Sequence, residues 1–197
     1  MAKYVALIRG INVGGIVLKM EDLKQLLEYI GYSKVRTYIQ SGNAIFETGE
    51  VNKRKMEAEI AQEIRNKIGR EVVVIVKTVE EIARIASAHP LAELGDEQNL
   101  YVTVLSYDPA APDVDILMTT MNEIDRHELA NRVVYSYYGQ GYGNSKRSNN
   151  FLEKILKVPA TTRNWATMKT LAQMGFDLGE GAAGEISYPG DGERPVS

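Results

Sequence analysis

Cysteine is absent from this 197-residue sequence, and histidine occurs only twice, at His89 and His127. The first absence excludes disulfides, thiolate nucleophiles and thiolate metal sites, and it suits a reducing compartment. The second leaves no H-E-x-x-H motif, and no serine sits in G-x-S-x-G or S-x-x-K. Asp113 and Asp115 form the only close D-x-D pair, with no calcium-loop pattern after it. Long apolar runs are missing too. The N-terminal run ending at Ile8 is too short for the core of a signal peptide, and Val72–Val76 is far from spanning length. The expectation is a cytoplasmic protein with no membrane partner, no metal and no cofactor. Whether it is an enzyme stays open, since oxyanion-type stabilisation by Arg, Lys, Asn or Ser needs no histidine.

What is present is charge, unevenly placed. The net charge of -3 conceals segments of opposite sign. Residues 1–46 carry +3 and residues 139–174 carry +5, whereas 47–138 carry -7 and the tail from 175 carries -4. Basic segments in an acidic chain mark a candidate anion site, with a solvated charged face as the plainer alternative.

Periodicity gives the organisation. Tyr4–Ile8 reads as a strand, and Met20, Leu23, Leu26, Leu27 and Ile30 mark a helix stopped by Gly31. Val35–Ile39 and Ala44–Phe46 are extended pieces around a Ser41-Gly42-Asn43 turn. Met56, Ile60, Ile64 and Ile68 mark a second helix before the β-branched run Val72–Val76. The order is βαββαβ, a ferredoxin-like arrangement whose second sheet face is left to bind or to pack on a neighbour. Thr78 and Glu81 form a capping box for a helix to about Ser87. The pattern then restarts: Leu100–Leu105 echoes Lys3–Ile8, a short helix covers Asp113–Met121, and Ile124–Leu129 with Val133–Tyr138 makes a hairpin around Asn131. A helix follows over about Ser148–Leu156, and a further helix over Asn164–Met174 stands where a closing strand belongs. The fold class expected is α+β: a ferredoxin-like subdomain over 1–77, then a related, degenerate α+β repeat with extra C-terminal helices over 78–174. The glycine-rich tail 175–197 is expected to lack fixed structure.

Four polar stretches carry the candidate chemistry. Gly10-Ile-Asn-Val-Gly-Gly15 joins strand to helix with the outer spacing of a phosphate loop, but Ile16-Val17 replace its Lys and Ser/Thr. Its backbone amides, notably at Gly14, with Arg9 and Asn12, suit an anion; a plain connecting loop is the competing reading. Gln40, Ser41 and Asn43 gather donors and acceptors at a bend, where such residues commonly bond their own backbone. Tyr135–Arg147 packs four tyrosines, three glycines, Lys146 and Arg147 into thirteen residues, apt for stacking and phosphate contact or for a strand and a flexible loop. Thr161-Thr-Arg-Asn-Trp165 precedes a helix: Thr162 is a natural N-cap, Arg163 and Asn164 flank the anion-attracting end, and Trp165 reads as a core anchor.

These stretches together resemble a known family, the domain of unknown function 1697 family of bacterial proteins. The resemblance rests on Tyr4-Val-Ala-Leu-Ile-Arg-Gly-Ile-Asn-Val-Gly-Gly15, Val35-Arg-Thr-Tyr-Ile-Gln-Ser-Gly-Asn43, Tyr101-Val-Thr103, Gly141-x-Gly-x-Ser-Lys146, Asn150-x-x-Glu153 and Pro159-Ala-Thr-Thr-Arg-Asn-Trp165. It spans residues 3 to 174 and implies a two-part α+β protein with ferredoxin-like character, without supplying an activity. Family members usually continue Ser-Lys with Leu, where this chain has Arg147. The leading expectation is a basic polar site between subdomains that binds a phosphorylated small molecule or nucleotide. Its ligand-binding residues are Arg9, Asn12, Gly14, Gln40, Ser41, Asn43, Lys146, Thr162, Arg163 and Asn164. One alternative is RNA or single-stranded nucleic acid on an exposed sheet, with Tyr135, Tyr137, Tyr138 or Tyr142 stacking bases. It meets a pI of about 5.6 and no RNP1-like run. The other alternative is a scaffold whose basic residues form internal ion pairs and bind nothing.

Overall fold

The computed structural model describes residues 1–178 apart from Val13, Gly14, Ile16, Met121 and Glu123. Its elements fall into two successive series. The first comprises β1 (Ala2–Ile8), α1 (Met20–Ile30), β2 (Ser33–Thr37), β3 (Asn43–Thr48), α2 (Lys53–Ile68), β4 (Val74–Thr78) and α3 (Val79–Ser87). The second comprises β5 (Leu100–Leu105), α4 (Ala111–Thr119), β6 (Asp125–Ala130), β7 (Val133–Tyr138), α5 (Asn149–Leu156), β8 (Ala160–Asn164) and α6 (Trp165–Phe176). Each series forms one four-stranded antiparallel sheet, ordered β2-β3-β1-β4 and β6-β7-β5-β8. The two orders are the same, and so is the register of the closing strand pair: Val5 faces Lys77 across β1 and β4, as Val102 faces Arg163 across β5 and β8.

The second half is therefore a complete βαββαβ unit, not the degenerate one expected. Its closing strand, β8, reads Ala-Thr-Thr-Arg-Asn and has a single apolar residue, so only β-branching signalled it. Of the expected extra helices, α6 is the one among the described residues. Thr162 lies inside β8 and does not cap it; Asn164 is the N-cap, its Oδ1 accepting the Ala166 N–H at 2.9 Å. The short fourth helix begins at Ala111, two residues earlier than expected, with Pro112 in its first turn, where a missing N–H costs nothing. α6 continues past 174 to Phe176, and Leu178 is buried. The rest of the expected tail, 179–197, lies outside the described residues.

Three apolar clusters account for the layering. Tyr4, Ala6, Ile8 and Phe46 face α1 and α2, meeting Leu23, Leu27, Met56, Ile60 and Ile64. Leu105, Val134 and Ala160 face α4 and α5, meeting Leu117, Leu152 and Leu156. The alternate residues of the central strands, Val5, Leu7, Ile45, Val102 and Val104, enter a shared cluster with Ile82 of α3 and Met168 and Leu171 of α6. The second face of the first sheet, expected to bind or to pack on a neighbour, thus packs on the second half. A Cβ on Gly175 of α6 would lie 2.5 Å from Val79 Cγ2 of α3, so the close approach of these helices requires glycine.

Candidate functional site

Arg9 follows β1 directly, its amide bonded to Val73 O at 2.8 Å, and its side chain crosses to α5 in the second half. There Nη2 donates to Asn150 Oδ1 at 2.9 Å and to Glu153 Oε2. Asn150 and Glu153 are three residues apart and share a helix face. The second oxygen of Glu153 accepts the Ala160 N–H at 2.8 Å, fixing the carboxylate between α5 and β8. Arg9 Nε is buried without a hydrogen-bond partner.

Asn12 organises the loop beyond β1. It holds a left-handed conformation, with φ 58°, that Asn tolerates. Its Nδ2 donates to Leu18 O and Gln40 O at 2.9 and 2.8 Å, and its Oδ1 accepts the Leu18 N–H at 2.8 Å. The loop is thereby tied to the turn before β3. In that turn Gly42 has φ +79°, and a Cβ there would lie 2.8 Å from the Ile11 side chain and 3.0 Å from Ile8 O. Asn43, fully buried, donates to Tyr38 O and Ser41 Oγ, both at 3.0 Å.

Arg163 reaches this turn from β8. Its Nε donates to Asn43 Oδ1 at 2.6 Å, and its Nη1 donates to Thr161 Oγ1 and Thr162 O at 2.7 and 2.8 Å. Its Nη2 donates to Ile8 O, Ser41 O and Gly42 O at 2.8, 2.9 and 3.1 Å. No carboxylate pairs with it among the described residues. Burial pulls its pKa down to about 10, so it stays charged at neutral pH. Tyr142 is close enough to oppose that shift, and its ring stacks on Tyr101 with centroids 4.6 Å apart. The Tyr142 hydroxyl accepts the Asn149 N–H at 3.1 Å, and Asn149 Oδ1 accepts from Thr162 Oγ1 at 2.9 Å.

The segments singled out in the sequence thus meet at one seam between the halves. Within it, Asn12, Asn43, Thr162 and Arg163 spend their polar heads on protein partners. Asn164 is engaged as a cap, with Nδ2 on Gln98 O at 3.1 Å. Gln40 and Lys146 are exposed, and no hydrogen bond or ion pair joins the Lys146 side chain to the seam. Gly14 lies outside the described residues. Asn150, Glu153 and Tyr142 complete the seam; none was among the residues expected to bind an anion, and Tyr142 was expected only as a base-stacking candidate. The spacing Asn150-x-x-Glu153 was the available signal for two of them. Arg147, the departure from the family pattern, lies with Nη1 3.7 Å from Asp125 Oδ2, which also accepts from Ser145 Oγ at 2.7 Å.

The tyrosines do not form an open stacking surface. Tyr138 is fully buried and donates to Arg147 O at 2.8 Å, while Tyr135 and Tyr137 are half-buried. His89 and His127 are buried away from the seam's polar groups: His89 packs on Tyr135 and Trp165, and His127 Nδ1 meets Ser136 Oγ at 2.9 Å. Among the described residues no helix is long and apolar enough to cross a membrane.

Fold and seam make this chain a repeated α+β protein whose two antiparallel sheets are joined by a buried arginine. The chain belongs to the family described as protein of unknown function (DUF1697), whose model matches residues 1–135. It is also similar to the structure of conserved bacterial protein SP0830 from Streptococcus pneumoniae. That likeness has 21% identity and a TM-score of 0.67, covering 88% of this chain and 98% of the other. No curated protein matches the sequence significantly.

Proposed function

We propose that the seam is an anion site in which this protein binds a phosphorylated small molecule or nucleotide. The supporting observation is the buried, charged Arg163, which has oxygen dipoles around it and no carboxylate partner among the described residues. Its donors are spent, so it supplies field instead of direct contact, and a buried positive field favours an anion nearby. Direct contacts fall to groups with capacity left: Arg9, Asn150, Gln40 and the Ser41 hydroxyl, with Lys146 steering from the exposed turn. Asn12, Asn43, Thr162 and Asn164 shape the walls. Glu153 holds Arg9 until an anion competes for it.

Arg163 also stitches the halves together, which is the scaffold reading. That reading leaves the unpartnered Arg9 Nε and the exposed Gln40 and Lys146 without a role. Thermal-shift screening against inorganic phosphate, nucleotides and sugar phosphates tests the proposal. A ligand of the folded state raises the melting temperature by linkage, here by about 2–4 °C or more. The rise is lost in Arg9→Gln. No rise with any anion, or a rise unchanged in that variant, contradicts the reading.

A further inference from the structure

The duplication sets a second cation at the position equivalent to Arg163. Lys77 pairs with Val5 in β1 as Arg163 pairs with Val102 in β5, and each directly precedes the residue capping the next helix. The turns they face are equivalent as well: Ile8 N donates to Gly42 O at 2.8 Å in one half, and Leu105 N to Arg132 O at 2.9 Å in the other. Arg163 fills its place completely. Lys77 does not, and a cavity of about 310 Å³ remains where its counterpart makes six hydrogen bonds. That volume lies at the lower end of the roughly 300–1,000 Å³ typical of small-molecule sites.

The lining is divided between the halves. Lys77, Arg84 and Ile85 come from β4 and α3, and Asn131, Val133 and Tyr135 from the β6–β7 hairpin. Glu81 is the only acid among the described residues of the lining, and it is already engaged: it accepts from Lys53 Nζ at 2.9 and 2.8 Å and from Thr78 N at 2.8 Å. Neither the Lys77 ammonium nor the Arg84 guanidinium has a hydrogen bond or ion pair among the described residues. The side-chain amide of Asn131 and the Tyr135 hydroxyl are likewise unengaged. Burial pushes the Lys77 pKa below the ordinary lysine range, with Lys53 and Arg132 adding to the shift and Glu81 and Glu57 opposing it.

We propose that this cavity binds a small organic anion, with a phosphate or carboxylate head held by Lys77, Arg84 and the Asn131 amide and an apolar body against Ile85, Val133 and the Tyr135 ring. The site is separate from the Arg9 seam, and a ligand in it adds polar contacts between the two halves beside the apolar cluster that already joins them.

Amide-resolved NMR titration of the full chain with phenyl phosphate, benzoate and inorganic phosphate tests this. Saturable shifts are expected at Asn131, Val133 and Tyr135, with at least one organic anion binding more tightly than inorganic phosphate. Preference between phenyl phosphate and benzoate assigns the head group. Lys77→Met and Arg84→Met should each weaken binding by about tenfold, the loss of one charge-assisted contact. Three results overturn the proposal: no saturable shift at those residues, inorganic phosphate binding as tightly as both organic anions, or affinity unchanged in the double variant. Should a variant fail to fold, the wild-type titration decides alone. Shifts confined to the Arg9 and Asn150 region would overturn this site and leave the seam standing.

Discussion

A guanidinium carries five N–H donors in a rigid fork, and Arg163 uses all of them on oxygens from both halves of the chain. Lysine keeps the charge but lacks the fork. Arg163→Met should therefore cost about 3–5 kcal/mol of unfolding free energy, because Ile8 O and Ser41 O lose a buried donor. Arg163→Lys should recover only part of this; urea denaturation of the two variants checks it. His127 gives the pH counterpart. Burial holds its pKa at about 4, against 6.5 for an ordinary histidine, with Asp125 opposing the shift and Arg147 adding to it. Between those values the unfolded chain binds a proton that the folded chain does not, so stability falls as pH drops from 6.5 to 4. The loss is on the order of 3 kcal/mol. Buried His89 has its pKa shifted in the same direction and contributes its own part. Melting His127→Gln beside wild type across that window should flatten the curve by the His127 share; parallel curves would refute the assignment.

At the scale of elements, the helices were legible because their ends carry chemistry. Gly31 and Gly69 stop α1 and α2 in left-handed conformations, and Thr78 and Glu81 form the capping box of α3. β1 was legible as an unbroken β-prone run, which a strand covered on both faces requires. β8 was not. Three of its five residues are polar ones whose hydrogen bonds build the seam, so those contacts overwrote the alternation that would have marked it. The site was legible as a set of segments but not as a division of labour. Residue type alone could not reveal that Asn12 and Asn43 would hold backbone while Asn150 would face Arg9. One element contact is open to direct test. Gly175→Ala puts a methyl into Val79, which is fully buried, and should destabilise by about 1–3 kcal/mol through overpacking of α3 on α6. Val79→Ala in the same chain should restore part of the loss; calorimetric melting of the single and double variants would expose an absence of coupling.

Over the whole molecule, duplication makes two comparable junctions between the halves, one at Arg163 and one at Lys77. The first is filled by protein atoms and neighbours the polar family motifs; the second keeps a cavity lined by two cations that make no hydrogen bond or ion pair among the described residues. The first joins the two basic segments, 1–46 and 139–174, whereas every residue lining the second belongs to the acidic segment 47–138. The ion pair of Arg9 with Glu153 is the adjustable element of the first junction, since Glu153→Gln removes the competing charge while its amide oxygen can still accept from Ala160 N.

The most direct measurement is the dissociation constant of the best phosphate ligand, taken by titration calorimetry at neutral pH for wild type, Glu153→Gln and Arg9→Gln. An anion site at the seam predicts tighter binding in the first variant and weaker binding in the second, each by about tenfold. Equal constants in all three proteins would contradict it.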